Sequence, residues 1–132
     1  MYSAPVLDHF EHPRNAGEIA DADASVEIEN PVCGDVLRLT LKLDGDRIAD
    51  IRFKAKGCVP SIACASAMTE SVRGKTIAEA KALRREMLIR GLGGLPQAST
   101  HAAQLALDAL SAALRGLPKS NAGVAIHNST TK

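Results

Sequence analysis

The sequence predicts an α+β fold, a small antiparallel three-stranded sheet with helices packed on one of its faces. Three observations predict it. Residues 25–29, 36–43 and 48–55 alternate apolar and polar side chains, the two-residue period of half-buried strands. Residues 60–114 place apolar side chains three and four apart, the period of helices. The period changes once, at Gly57-Cys58, and strands followed by helices favour helices stacked on a sheet over an alternating parallel arrangement.

Each element has its own signal. Residues 6–10 read as a short helix, closed by Pro13 and Gly17. Residues 25–29 (Ser-Val-Glu-Ile-Glu) alternate as a strand, and residues 36–43 do so clearly, with Leu37, Leu39, Leu41 and Leu43 opposite Arg38, Thr40 and Lys42. Asp44-Gly45-Asp46 is a turn signal, after which residues 48–55 return with Ile51 and Phe53 on one face. This is an antiparallel meander with one buried face. Pro60-Ser61 opens a helix that runs to about Arg73 and stops at Gly74. Thr76-Ile77-Ala78-Glu79 fits a capping box, in which the Thr hydroxyl and the Glu carboxylate satisfy free amides at a helix start. That helix is expected to reach residues 86–90 before Gly91, Gly93 and Gly94 break it. The last helix begins near Thr100 and ends at Gly116-Leu117-Pro118, with Ala102, Leu105, Ala106, Ala109, Leu110, Ala113 and Leu114 as its buried stripe. Residues 1–118 therefore form one domain, and the polar, aperiodic residues 119–132 are expected to be a mobile tail.

Composition narrows the classes of function. A chain of 132 residues with two Phe, one Tyr and no Trp must build a modest core from Leu, Ile, Val and Ala. No apolar run approaches membrane-spanning length, and the start lacks the basic-then-apolar order of a secretory signal, so a cytoplasmic location is expected. Three cysteines, an odd number without an export signal, argue for reduced thiols rather than disulfides. The net charge of +1 conceals an asymmetry: residues 1–50 hold four Lys/Arg against eleven Asp/Glu, and residues 51–132 hold twelve against four. The simpler reading is that the halves neutralise each other. The sharper one is that Lys75, Lys81, Arg84, Arg85 and Arg90 form a basic face for an acidic protein partner. Nucleic acid is not expected, because no aromatic residues are interleaved with these charges for base stacking.

The chemistry-bearing residues fall in three places. Cys33 lies in Asn-Pro-Val-Cys-Gly-Asp, a loop between two predicted strands, where Gly34 allows a cluster or ion to approach the main chain. Cys58 follows Gly57 at a strand end and precedes a helix start, whose amides favour a thiolate and an anionic cluster. His101 heads the last helix on its polar side, with Gln104, Asp108, Ser111 and Arg115. Cys64 lies six residues beyond Cys58, in the first turns of its helix. It serves equally as a further thiolate ligand or as a small packing residue beside Ala63, Ala65, Ser66 and Ala67.

Read in order with His9-Phe10 and Pro13-Arg14-Asn15-Ala16-Gly17, these segments resemble the NifU/IscU-type iron–sulfur cluster assembly scaffolds from about Leu7 to about Leu114. The resemblance implies the same α+β fold. It implies cluster ligands at Cys33, Cys58 and His101, with Asp35 close by and linked to cluster lability. Ala102 stands where the family carries a third cysteine, which leaves Asp35 or Cys64 as the candidate fourth ligand. The implied work is to receive sulfide from a cysteine desulfurase, collect iron, assemble a [2Fe–2S] cluster and pass it to apo iron–sulfur acceptor proteins. Thiolates suit such clusters, imidazole is a neutral auxiliary and a carboxylate loosens the hold. Two other readings stand beside the scaffold: a zinc-dependent sulfur acceptor for a desulfurase, since two thiolates, His and Asp suit tetrahedral zinc, and a metal-independent regulatory partner. Leu95-Pro96-Gln97-Ala98-Ser99 departs from the Leu-Pro-Pro-Val-Lys segment of members served by a dedicated Hsp70 chaperone, so the resemblance does not extend to that partner.

Overall fold

The computed structural model describes residues 2–31 and 34–117; Cys33 and the expected tail at 119–132 lie outside the described residues. The elements are α1 (Ala4–Glu11), β1 (Ala24–Glu29), β2 (Val36–Asp44), β3 (Arg47–Lys56), α2 (Val59–Val72), α3 (Ile77–Lys81), α4 (Arg85–Gly91), a 3₁₀ turn (Gln97–Ser99) and α5 (Thr100–Arg115). The strands form one antiparallel sheet in the order β1-β2-β3, with α5 against β1 and β2, α2 against β3, and α1 on α2. This is the α+β meander that the alternation implies.

Leu37, Leu39 and Leu41 of β2, Val26 of β1 and Phe53 of β3 are buried against the helices. Leu43 is only half-buried, because the register between β2 and β3 shifts at Lys42/Leu43. Lys42 pairs with Asp50 but Leu43 pairs with Ile48, leaving Ala49 as the extra residue of a bulge. That one residue lets Ile48 and Ile51, three apart, both reach the core. Gly45, at φ 64°, takes the first position of the two-residue loop between β2 and β3. The free edge of β3 is covered: Phe53 donates its N–H to the Asn15 carbonyl (3.0 Å) and accepts from the Gly17 N–H (2.8 Å), and Ile48 donates to the Lys75 carbonyl (2.8 Å).

The capping box at Thr76 and Glu79 is present in both directions, but the single helix expected to follow it is two. Ala82 ends α3, and Arg84 takes an extended conformation (φ −113°, ψ 155°) before α4 begins. No Gly or Pro marks the break. Leu83, which packs on the core between the two short helices, accounts for it. The charge asymmetry is partly neutralised between halves of the chain, by Lys54–Glu18 (3.3 Å) and Arg73–Asp50 (3.3 Å). The family-like segment at His9 and Arg14 is structural: His9 is buried, its Nδ1 lies 2.8 Å from Ser66 Oγ, and the Arg14 N–H donates to the same oxygen at 2.8 Å. Together they fasten α1 and its following loop onto α2.

Candidate metal centre

Three chain segments converge where β2 begins, where β3 gives way to α2, and where α5 begins. The loop before β2 is closed at its base, the Asn30 N–H donating to the Asp35 carbonyl (2.8 Å) and the Gly34 N–H to the Asn30 carbonyl (2.7 Å). This delivers Asp35 at 5% exposure. Cys58 is the N-cap residue of α2, with extended φ and ψ and no side-chain capping bond, so its thiol is left exposed at a helix start. His101 is the second residue of α5. One ligand atom from each of Asp35, Cys58 and His101 lies within 4.8 Å of the others.

The hydrogen bonds prepare these donors. Cys58 Sγ donates to Asp35 Oδ2 at 3.3 Å, and the Ser61 hydroxyl donates to the same oxygen. His101 Nδ1 lies 3.2 Å from the Ala98 carbonyl, which only accepts, so Nδ1 carries a proton and Nε2 is the nitrogen left to bind a ligand. Nε2 is buried without a hydrogen-bond partner among the described residues, and it lies 3.9 Å from Asp35 Oδ2. A buried nitrogen without a hydrogen-bond partner, facing a carboxylate, is satisfied by a cation held between the two. With a thiol alongside, the donor set of soft sulfur, imidazole nitrogen and carboxylate oxygen fits zinc or iron.

Cys64 does not join this group. It is fully buried in the hydrophobic core with Ala63, Ala65 and Met68, and burial, with a smaller contribution from a charged Cys58, pushes its thiol up to about 12. The packing role, one of two open from the sequence, is the one its environment suits. In a Cys33→Ser protein at pH 8 we expect one thiol, Cys58, to react rapidly with a thiol reagent, and the second to react only after unfolding. Because the folded thiol holds its proton more tightly than the unfolded one, Cys64 leaves stability unchanged below about pH 9 and lowers it as pH rises from there towards about 12. Cys64→Ser is expected to leave metal content unaltered and to lower stability by about 1–3 kcal/mol; a loss of bound metal at unchanged stability sinks this assignment.

Ala102 is buried on the core stripe of α5, as its spacing implies. Gly34 has a left-handed backbone (φ 77°) with open space around it, whereas the crowded glycine is Gly57. A Cβ on Gly57 would lie 2.5 Å from Asp35 Cγ and Oδ1. The crowding of Gly57 against Asp35 was not expected from the sequence, where Ser61 stood only as a helix opener. The available signal was its spacing, since a residue three beyond an N-cap sits on the same first turn.

A three-stranded meander under helices, with Cys, His and carboxylate donors gathered at element ends, defines an α+β domain that carries a candidate metal site. The chain belongs to the NifU-like N terminal domain family, whose model matches residues 1–123. It is 46% identical over 114 residues to the iron-sulfur cluster assembly scaffold protein IscU 1 of Archaeoglobus fulgidus, covering 86% of this chain and 74% of that one. It is 42% identical over 85 residues to the zinc-dependent sulfurtransferase SufU of Bacillus subtilis, covering 64% of this chain and 57% of that one. The fold matches the crystal structure of a nitrogen-fixing NifU-like protein (N-terminal) from Brucella abortus, with TM-score 0.75, 20% identity, and coverage of 90% of this chain and 95% of that one.

Proposed function

We propose that this chain is an iron–sulfur cluster assembly scaffold that takes iron and sulfide as substrates, holds a labile [2Fe–2S] cluster, and passes it to apo acceptor proteins. The observation that carries the reading is the buried Nε2 of His101, without a hydrogen-bond partner among the described residues, facing buried Asp35 beside the exposed thiol of Cys58. Cys33 completes the proposed ligand set. Cys58 supplies the soft anchor, and loading releases its proton next to Asp35 Oδ2, its hydrogen-bond acceptor. His101 adds a neutral donor with its ring already oriented, and Asp35 adds a hard oxygen that grips iron less firmly than a third thiolate. A scaffold requires that intermediate hold, since its cargo must leave. A cysteine desulfurase is the proposed sulfur source, and the cytoplasm is the compartment that suits free thiols. Among the described residues no helix is long and apolar enough to cross a membrane.

A second reading is favoured by the likeness to the protein named as a zinc-dependent sulfurtransferase. In it the Cys58 thiolate attacks the outer sulfur of a partner's persulfide, forming Cys58–S–SH and releasing the partner's thiolate. Iron and acid-labile sulfide analysis of anaerobically reconstituted protein, read with its visible spectrum, separates the two. Iron and sulfide in equal amounts with visible absorption are the expected result; zinc alone, colourless and without sulfide, overturns the scaffold reading in favour of sulfur transfer.

A further inference from the structure

We propose that Ser61 is a positioning residue of this centre, whose hydroxyl fixes the Asp35 carboxylate and thereby sets how firmly the site grips its metal. The inference rests on Asp35, Cys58 and His101 forming a metal site. Ser61 is the third residue of α2, one turn on from Cys58, and is 5% exposed. Its Oγ donates to Asp35 Oδ2 and lies 3.3 Å from Cys58 Sγ, so one hydroxyl touches two of the three donors.

The two donors on Asp35 Oδ2 have different fates on loading. Cys58 gives up its proton to bind metal, and with it the hydrogen bond to Oδ2. Ser61 keeps its proton and its bond, and α2 holds it rigidly. The carboxylate therefore stays aimed at His101 Nε2 after the thiol bond has gone. Partners of this kind, bound to a ligand rather than to the metal, typically change metal affinity 10- to 100-fold. Ser61 also occupies one lone pair of Oδ2, which restrains the carboxylate from turning out towards solvent, where Cys58 is exposed.

The test is a Co(II) titration against a chromophoric chelator, following the thiolate-to-cobalt absorption, on wild type, Ser61→Ala, Asp35→Ala and the double variant. Alanine preserves the helix, and thermal melts of the metal-free proteins report whether each variant is folded. Ser61→Ala is expected to weaken Co(II) binding about tenfold or more and to alter the cobalt ligand-field bands. Ser61→Thr, which keeps the hydroxyl, is expected to retain most of the affinity. In the Asp35→Ala background the Ser61 change is expected to cost nothing further, because its effect runs through Asp35. Equal affinity in wild type and Ser61→Ala, or the same loss in both backgrounds, overturns the role of Ser61 while leaving the metal site standing. Failure of wild type to bind Co(II) overturns the site itself.

Discussion

Cys58→Ser protein, reconstituted under anaerobic conditions, is expected to retain iron and labile sulfide only at background level. Among the described residues Cys58 supplies the sulfur donor of the convergent group, and a serine hydroxyl, neutral and hard at neutral pH, does not replace a thiolate towards an iron–sulfur cluster. The same substitution is expected to change stability by no more than about 0.5 kcal/mol, since the thiol is exposed and a serine hydroxyl takes over its hydrogen bond to Asp35. The pair of outcomes is diagnostic. A folded variant without cargo places the chemistry at Cys58, whereas a variant that keeps its iron and sulfide removes Cys58 from the site.

Gly57→Ala is the second large effect, and it acts without touching a donor atom. The new methyl would stand 2.5 Å from Cγ and Oδ1 of Asp35, closer than two such atoms approach. Asp35 has little room to retreat, because it is buried and its Oδ2 is held by Ser61 and Cys58. The carboxylate must leave its place or the strand end must shift, so stability is expected to fall by about 1–3 kcal/mol, as for other overpacked buried positions. Metal affinity is expected to drop to the level of Asp35→Ala. A chemical denaturation curve and a Co(II) titration check the two parts, and wild-type values in both would show that the crowding at Gly57 has no functional weight.

The strands were legible because only one face of the sheet is buried against the helices. Leu37, Leu39 and Leu41 then stand out against Arg38 and Lys42, and the period-two signal is strong. The bulge at Ala49 was not, since one extra residue between Ile48 and Ile51 resembles noise in so short a strand. The stripe of α5 was legible for the same reason as the sheet. In α2 the periodicity says nothing, because Ala63 to Thr69 are all buried. A helix enclosed on every side has no polar face against which to place Cys64, so its two roles were separable only by tertiary packing. The junction between α3 and α4 was missed because Leu83 breaks the helix by where it packs, and no residue there disfavours helix intrinsically. At the site, Asp35, Cys58 and His101 were named from the sequence and the structure brings them together. What stayed hidden was the support around them: the Ala98 carbonyl that sets the His101 tautomer, the Ser61 hydroxyl, and the space left by Gly57. The contacts of Ser61 and Gly57 with Asp35 join segments far apart in the chain, and the Ala98 bond, although local, depends on how the 3₁₀ turn enters α5, which apolar periodicity does not encode.

The three donors lie at positions 35, 58 and 101, at the starts of three different elements with no covalent tie between them. The unfolded chain does not assemble such a group, so occupancy and folding are a single linked equilibrium. A ligand present at a hundred times its dissociation constant adds about 2.7 kcal/mol to the folded state. That is a large share of the roughly 5–15 kcal/mol by which domains of this kind stay folded. Handing over the cargo thus leaves a chain that is more easily opened, and the heat resistance of the domain becomes a gauge of how full it is.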